Sequence, residues 1–127
     1  MNKAVIALGS NIQPRIHIEK AKKLIAGRFM ALAESKFVQT KPIGYINQNY
    51  FTNGAVLIET PMNFDELNTA LKEIETALGR KRGALHFGPR TIDLDIVVWN
   101  SQVIHRDFFE RDFLKKSVLE LLPDLKF

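Results

Sequence analysis

Cysteine is absent from the 127 residues, which excludes disulfides, thiolate metal sites and cysteine nucleophiles. Long apolar runs are absent too: none approaches the ~20 residues of a membrane span. Ala4–Leu8 is too short for a secretory core and is broken at once by Gly9-Ser10-Asn11. The expected compartment is therefore the cytoplasm, with no membrane partner. There is no Walker A sequence, no kinase glycine loop and no GxGxxG fingerprint. His17, His86 and His105 stand at no metal-ligand spacing, no Ser/His/Asp set can be picked out, and no internal repeat or low-complexity stretch occurs. What is present is ordinary for a folded protein, 46% hydrophobic and 25% charged residues, which argues against intrinsic disorder. The length implies one domain, residues 1–127, with no room for a separate nucleotide-binding domain.

Charge is the first positive signal. Eighteen Lys and Arg against fourteen Asp and Glu give a net +4. Such an excess favours anionic partners, either nucleic acid or small phosphorylated ligands, over a merely basic surface only if the cations gather in one place.

Hydrophobic periodicity predicts an α+β order. Ala4–Leu8 reads as a buried strand ended by Gly9-Ser10-Asn11. From Ile16 to Arg28 the pattern is helical, with Ile18, Ala21, Leu24 and Ile25 on one face. Met30–Val38 reads as a strand, residues 40–49 as a loop rich in Pro, Gly and Asn, and Phe51–Thr60 as another strand. Asn63 with Glu66 three residues on resembles a capping box. It opens a helix whose stripe is Phe64, Leu67, Leu71, Ile74 and Leu78 and whose stop is Gly79. Ile92–Trp99 is a strand, Asn100-Ser101 a turn, and residues 107–122 a helix ended by Pro123. Strand, helix, strand, strand, helix, strand is the split βαβ order (βαββαβ). It implies a ferredoxin-like four-stranded antiparallel sheet with helices on one face, an added C-terminal helix, and the other face left partly or wholly open for ligands.

The chemistry concentrates before and within the last strand. Side chains alternate along a strand, so Asp93 and Asp95 point to one face and Ile92, Leu94, Ile96 and Val98 to the other. Aspartate is depleted in strands and like charges on one face repel. Two such carboxylates are either solvated on an open face or bridged by divalent cations, and carboxylates plus substrate phosphates are the usual Mg²⁺ solution. Arg80, Lys81, Arg82 and Arg90 lie shortly before them, and arginine offers a planar fork for phosphoryl oxygens. The pattern points to Mg²⁺-assisted phosphoryl chemistry on a triphosphate without naming the acceptor. Glu75 lies off the apolar stripe, one turn before Gly79, as a ligand contact or a solvated surface carboxylate.

These residues resemble a known family. Gly88-Pro89-Arg90-Thr91-Ile92-Asp93-Leu94-Asp95-Ile96 is similar to the signature of the 6-hydroxymethyl-7,8-dihydropterin pyrophosphokinases of folate biosynthesis. Ala7-Leu8-Gly9-Ser10-Asn11, Thr40-Lys41-Pro42-Ile43-Gly44 with Phe51-Thr52-Asn53, and Glu75 with Gly79-Arg80-Lys81-Arg82 agree in order and spacing, so the resemblance spans nearly the whole chain. It implies transfer of the β,γ-pyrophosphoryl group of ATP, the co-substrate, to the pterin hydroxymethyl oxygen, leaving AMP. It further implies that Asp93 and Asp95 bind two Mg²⁺ ions, and that Arg80 and Arg82 sit on a mobile catalytic loop while Arg90 holds phosphate. Glu75, His105 and Arg111 would join Arg82 and Arg90 on the nucleotide side, where Ile96 would offer backbone groups to adenine. Thr40, Pro42, Ile43 and Asn53 would hold the pterin edge, with Phe51 and Phe113 against its ring. Carrying the resemblance through the C-terminal third requires a deletion between Ile104 and His105, where the family has a phosphate-binding arginine that Arg106 would replace. His86 and Gly83 stand for more basic loop residues, Phe87 for a loop aromatic, and the chain is short for the family.

Two other readings compete. One is a divergent, inactive member that only binds pterin or nucleotide. The other is an RNA-recognition module with the same element order, which needs an aromatic run on a sheet strand that this sequence lacks, so no nucleic-acid partner is expected.

Overall fold

The structure, a computed structural model, describes residues 1–42, 49–79 and 91–127. The elements are β1 (Asn2–Ser10), α1 (Pro14–Arg28), β2 (Met30–Glu34), β3 (Val38–Thr40), β4 (Phe51–Thr60), α2 (Phe64–Ala77), β5 (Asp93–Trp99), β6 (Gln102–Val103), α3 (Asp107–Glu110) and α4 (Asp112–Leu121). Among the described residues no helix is long and apolar enough to cross a membrane.

Local chemistry places these elements. Pro14 opens α1, where its missing N–H costs nothing. On α2 the capping box is formed in full: Glu66 N–H donates to Asn63 Oδ1 at 2.9 Å, and Asn63 N–H donates to Glu66 Oε1 at 3.0 Å. Gly79 then takes φ +86°, a left-handed turn that favours glycine, and its N–H returns to Thr76 O. Between β5 and β6 the two-residue turn Asn100-Ser101 has positive φ at both positions, as a tight antiparallel hairpin requires.

The sheet is antiparallel, in the order β2-β4-β1-β5-β6, with β3 also on β4. It therefore holds six strands among the described residues where four were expected. The stretch expected as one strand, Met30–Val38, is divided. A register shift between Ala31 and Ala33 bends β2, and Ser35 leaves the ladder to accept Ala55 N–H on its Oγ at 2.9 Å. Phe37 then lies across β4 at Gly54, where an added Cβ would meet its ring at 2.5 Å, and the chain re-pairs as β3.

Both faces of the sheet are covered. On one, Ala4, Ile6, Leu8, Val56, Ile58, Leu94 and Ile96 pack against Ile18, Ala21 and Ile25 of α1 and Leu67, Leu71 and Ile74 of α2. Leu24, expected on that stripe, is 38% exposed at the rim. On the other face, Val5, Ala55, Val97 and Val98 pack against Phe108, Leu114 and Val118. The expected C-terminal helix is split into α3 and α4 because Arg111 is extended, at φ −126° and ψ 109°. That break seats Phe108 at 0% exposure, a burial of roughly 1.5–3 kcal/mol.

Val98 corrects the expected alternation. Val5 pairs with Val98 but Ile6 pairs with Ile96, so β5 carries one extra residue, Val97. This bulge flips every side chain beyond it. Val98 joins the α4 side, and Trp99 turns to the α2 side to meet Phe64 edge-on at 5.7 Å. Asp93 and Asp95 lie before the bulge and keep the expected face.

Candidate active site

Antiparallel register aligns the polar residues in rows. Asn53 of β4 pairs with Gly9 of β1, and Gly9 pairs with Asp93 of β5; one row on, Ala55, Ala7 and Asp95 align. Paired residues share a face. The small side chains at positions 7, 9 and 55 therefore leave a floor flanked by an amide on one side and two carboxylates on the other. Thr40 pairs with Phe51 on the same side of the sheet as Asn53. The segment from His105 through α4 forms the roof. The result is a cavity of about 660 Å³ whose wall includes Thr40, Phe51, Asn53, Asp93, Asp95, His105, Arg106, Arg111 and Phe113.

Most of the described residues singled out from sequence thus meet in one place, although they come from four elements, the segment before α3 and the break between α3 and α4. Three do not. Pro42 is half-buried at the end of its described segment and is not on the wall. The Ile96 side chain points to the opposite face, into the core under α1 and α2, which leaves only its backbone groups for the expected contact. Glu75 is neither on the wall nor solvated: it is 0% exposed. Its Oε2 accepts Leu94 N–H at 2.7 Å and faces Lys72 Nζ at 3.4 Å, so α2 grips β5 between the two aspartates. Ile43, Arg80, Arg82 and Arg90, with Lys81, Gly83, His86 and Phe87, lie outside the described residues.

The amide end is oriented by its neighbours. Asn53 Nδ2 donates to Thr40 Oγ1 at 2.5 Å, which fixes the side-chain plane. Its Oδ1 lies over Gly9, where a Cβ would stand only 2.7 Å away. Glycine is needed here for this close approach.

At the acidic end the Asp95 carboxyl is held above its usual range. Burial is the main cause and the neighbouring Asp93 the next; Lys72 and His105 oppose them, and Glu75 adds to them. Across the cavity Asp107 organises the roof. Its Oδ2 lies 3.3 Å from Arg111 Nε and 3.8 Å from His105 Nδ1. Asp107 N–H donates to His105 Nδ1 at 3.2 Å, so the neutral ring carries its hydrogen on Nε2.

Sequence reasoning missed Lys72, Asp107 and the floor glycine Gly9 as wall residues. Lys72 had one faint signal, its i,i+3 spacing to Glu75 on a helix. Asp107 sits next to two residues already singled out, but nothing in its own pattern marks it.

Comparison with known proteins places the chain among relatives. The model of the family described as 7,8-dihydro-6-hydroxymethylpterin-pyrophosphokinase matches residues 5–123. The chain is 36% identical to the 2-amino-4-hydroxy-6-hydroxymethyldihydropteridine pyrophosphokinase of Bacillus subtilis, over 98% of this chain and 81% of that one. It is 32% identical to the Pseudomonas aeruginosa protein of the same name, over 99% and 84%. It is also 33% identical to the bifunctional protein FolKE of Lactococcus lactis subsp. cremoris, over 98% of this chain but 38% of that protein, so it spans about two fifths of this relative's length. By the extent of the family match, the chain belongs to the 7,8-dihydro-6-hydroxymethylpterin-pyrophosphokinase family.

Proposed function

We propose that this protein transfers the pyrophosphoryl group of ATP to 6-hydroxymethyl-7,8-dihydropterin in folate biosynthesis. The pterin hydroxymethyl oxygen attacks the β-phosphorus and loses its proton. The bond from the β-phosphorus to the α,β-bridging oxygen breaks, and AMP leaves. The observation that carries this reading is that one cavity holds an oriented amide with an aromatic at one end and a carboxylate pair facing cationic side chains at the other.

The residues divide the work. Asn53, oriented by Thr40, offers donor and acceptor to the polar edge of a flat heterocycle, and Phe51 and Phe113 supply apolar surface from β4 and α4. His105 Nε2–H and the Arg111 guanidinium, both anchored by Asp107, donate toward phosphate oxygens. Arg80, Arg82 and Arg90 are assigned to the phosphates on the sequence resemblance alone. Asp93 and Asp95 fit Mg²⁺, a hard cation, as oxygen donors on one face beside a crowded negative charge. Among the described residues no third acidic or imidazole side chain completes a cluster, so phosphates and water would fill the remaining positions of the two ions. When bound, Mg²⁺ neutralises phosphate charge and aligns the donor with the acceptor.

We also read β1–α1–β2–β4–α2–β5 as the ferredoxin-like frame, residues 1–127 as one cytoplasmic domain, and small molecules as the partners. Among the described residues the second sheet face is roofed by α3 and α4, which supports small molecules over stacked RNA bases as its ligands. The test is AMP formation from ATP and Mg²⁺ with and without the hydroxymethyl dihydropterin. Pterin-dependent AMP supports the assignment. ADP, or no turnover with intact pterin binding, replaces it with another kinase or a binding protein.

A further inference from the structure

The reading above gives Lys72 no role of its own beyond facing the carboxylates, yet it occupies the acidic end of the cavity. Its Nζ lies 3.1 Å from Leu94 O, 3.4 Å from Glu75 Oε2 and 3.6 Å from Asp95 Oδ1. An ammonium has three hydrogens, and here three oxygens face them. The cause is the sheet edge. Among the described residues β6 pairs with β5 at Val98 and Trp99, and no described strand lies beside β5 on that side at Leu94. Its N–H goes to Glu75 and its C=O to Lys72, both from α2. The clamp brings a fixed positive charge to the carboxylate that the proposed reaction needs for metal. The side chain is 34% exposed and lines the cavity, so it faces whatever enters.

We propose that Lys72 is a built-in counter-cation that disfavours binding of free divalent metal at Asp93 and Asp95, so that metal enters together with the nucleotide's phosphates. This rests on the reading of the two aspartates as metal ligands. Like charges a few ångströms apart repel strongly where water is partly excluded. A divalent ion alone at Asp95 meets that repulsion from Lys72, with only two carboxylates to offset its dehydration. A triphosphate adds several negative charges to the same cavity and reverses the balance. Lys72 is thus a positioning residue, acting on the metal through Asp95.

The test is calorimetric titration of Mn²⁺, in place of Mg²⁺, into wild type, Lys72→Gln, Lys72→Met and Asp95→Asn, with and without α,β-methylene-ATP. Lys72→Gln keeps a donor for Leu94 O and guards against a folding defect in Lys72→Met, and circular dichroism checks both. Without nucleotide, the Lys72 variants are expected to bind Mn²⁺ about five-fold more tightly than wild type or better. With the analogue that gap should shrink to about two-fold or less, because the phosphates screen Lys72. A merely structural lysine would leave metal affinity unchanged or weaken it. That result in folded variants, with Asp95→Asn still losing Mn²⁺ in the ternary complex, overturns the role of Lys72 alone. If Asp95→Asn binds Mn²⁺ and analogue as wild type does, the metal reading of the aspartates falls, and the counter-cation with it.

Discussion

Replacing Glu75 by alanine separates two roles for this residue, a hidden clamp on β5 and a nucleotide contact. The structure supports the clamp. The carboxylate is fully buried, accepts Leu94 N–H at 2.7 Å and pairs with Lys72 at 3.4 Å. A hydrogen bond to a charged group contributes about 1.5–3 kcal/mol, and leaving its buried partner unsatisfied costs about 1–3 kcal/mol. Breaking a buried ion pair by deleting one member costs about 3–5 kcal/mol in full, counting the same loss in another way. Lys72 is one-third exposed and keeps Leu94 O and Asp95, so its ammonium re-solvates and the lower end applies. Glu75→Ala should therefore cost ~3 kcal/mol, and in a chain of this size that lowers Tm by about 10–15 °C. Glu75→Gln keeps an acceptor oxygen for Leu94 N–H and loses only the charge, so its cost should be ~1–2 kcal/mol.

Urea unfolding followed by far-ultraviolet circular dichroism, without ligands, reads these values directly. A cost below ~1 kcal/mol for Glu75→Ala would refute the clamp, since no buried pair could then have been broken. If affinity for an ATP analogue fell steeply in that same stable variant, Glu75 would be a nucleotide contact, as the family resemblance implied. The expected pattern is the reverse: a large loss of stability, and weaker nucleotide binding only in proportion to the disorder of β5.

Further outcomes follow from other parts of the site. The Asp95 carboxyl sits above its ordinary value of 3.8, so the folded state holds the proton more tightly than the unfolded chain, and stability rises as pH falls through the folded-state value toward 3.8. In chelator-treated buffer at neutral pH, Asp95→Asn should thus raise Tm and flatten that pH slope, and with Mg²⁺ restored it should abolish turnover; a lower Tm would contradict the crowding of charge. Gly9→Ala places a Cβ 2.7 Å from Asn53 Oδ1, so KM for the pterin should rise about ten-fold, a loss of ~1.4 kcal/mol, with KM for ATP nearly unchanged. Equal effects on both substrates would remove Asn53 from the pterin side. Phe108→Ala empties a fully buried site beneath the roof and should cost ~3–5 kcal/mol in urea unfolding. Asn63→Ala removes one half of the capping box and should cost ~0.5–2 kcal/mol with kcat intact.

The parts legible in the sequence were those set by local rules. Asn63, Glu66 and Gly79 bound α2 as expected because caps and left-handed stops depend on neighbours within a few residues. Asp93 and Asp95 share a face because alternation is intrinsic to a strand. The misreadings fall where distant residues decide. Val98 changes face because β1 pairs across a bulge that β5's own pattern does not announce. Met30–Val38 divides because Ser35 is drawn to Ala55, twenty residues away. Glu75 looks like a surface carboxylate on its helix and becomes a buried one only when Leu94 of another element offers its N–H.

The same distinction accounts for the way the site is assembled. Each polar residue on the floor is cheap for its own strand because the residue beside it is small: Gly9 lies between Asn53 and Asp93, and Ala7 between Ala55 and Asp95. Small side chains give β1 little apolar area there, so the cavity side of the sheet cannot hold the fold alone. Stability comes from the opposite face, where Leu8, Ile6, Leu94 and Ile96 alternate with the site residues and pack under α1 and α2. Pleat alternation therefore lets β1 and β5 serve both purposes, core on one side and chemistry on the other. The roof is attached further along the strands, through Phe108, Leu114 and Val118 onto Val5, Val97 and Val98. The bulge at Val97 makes this attachment possible by turning two consecutive valines toward α4. The carboxylates can then stay open to the cavity while the residues two and three positions further along β5 are sealed in the second core.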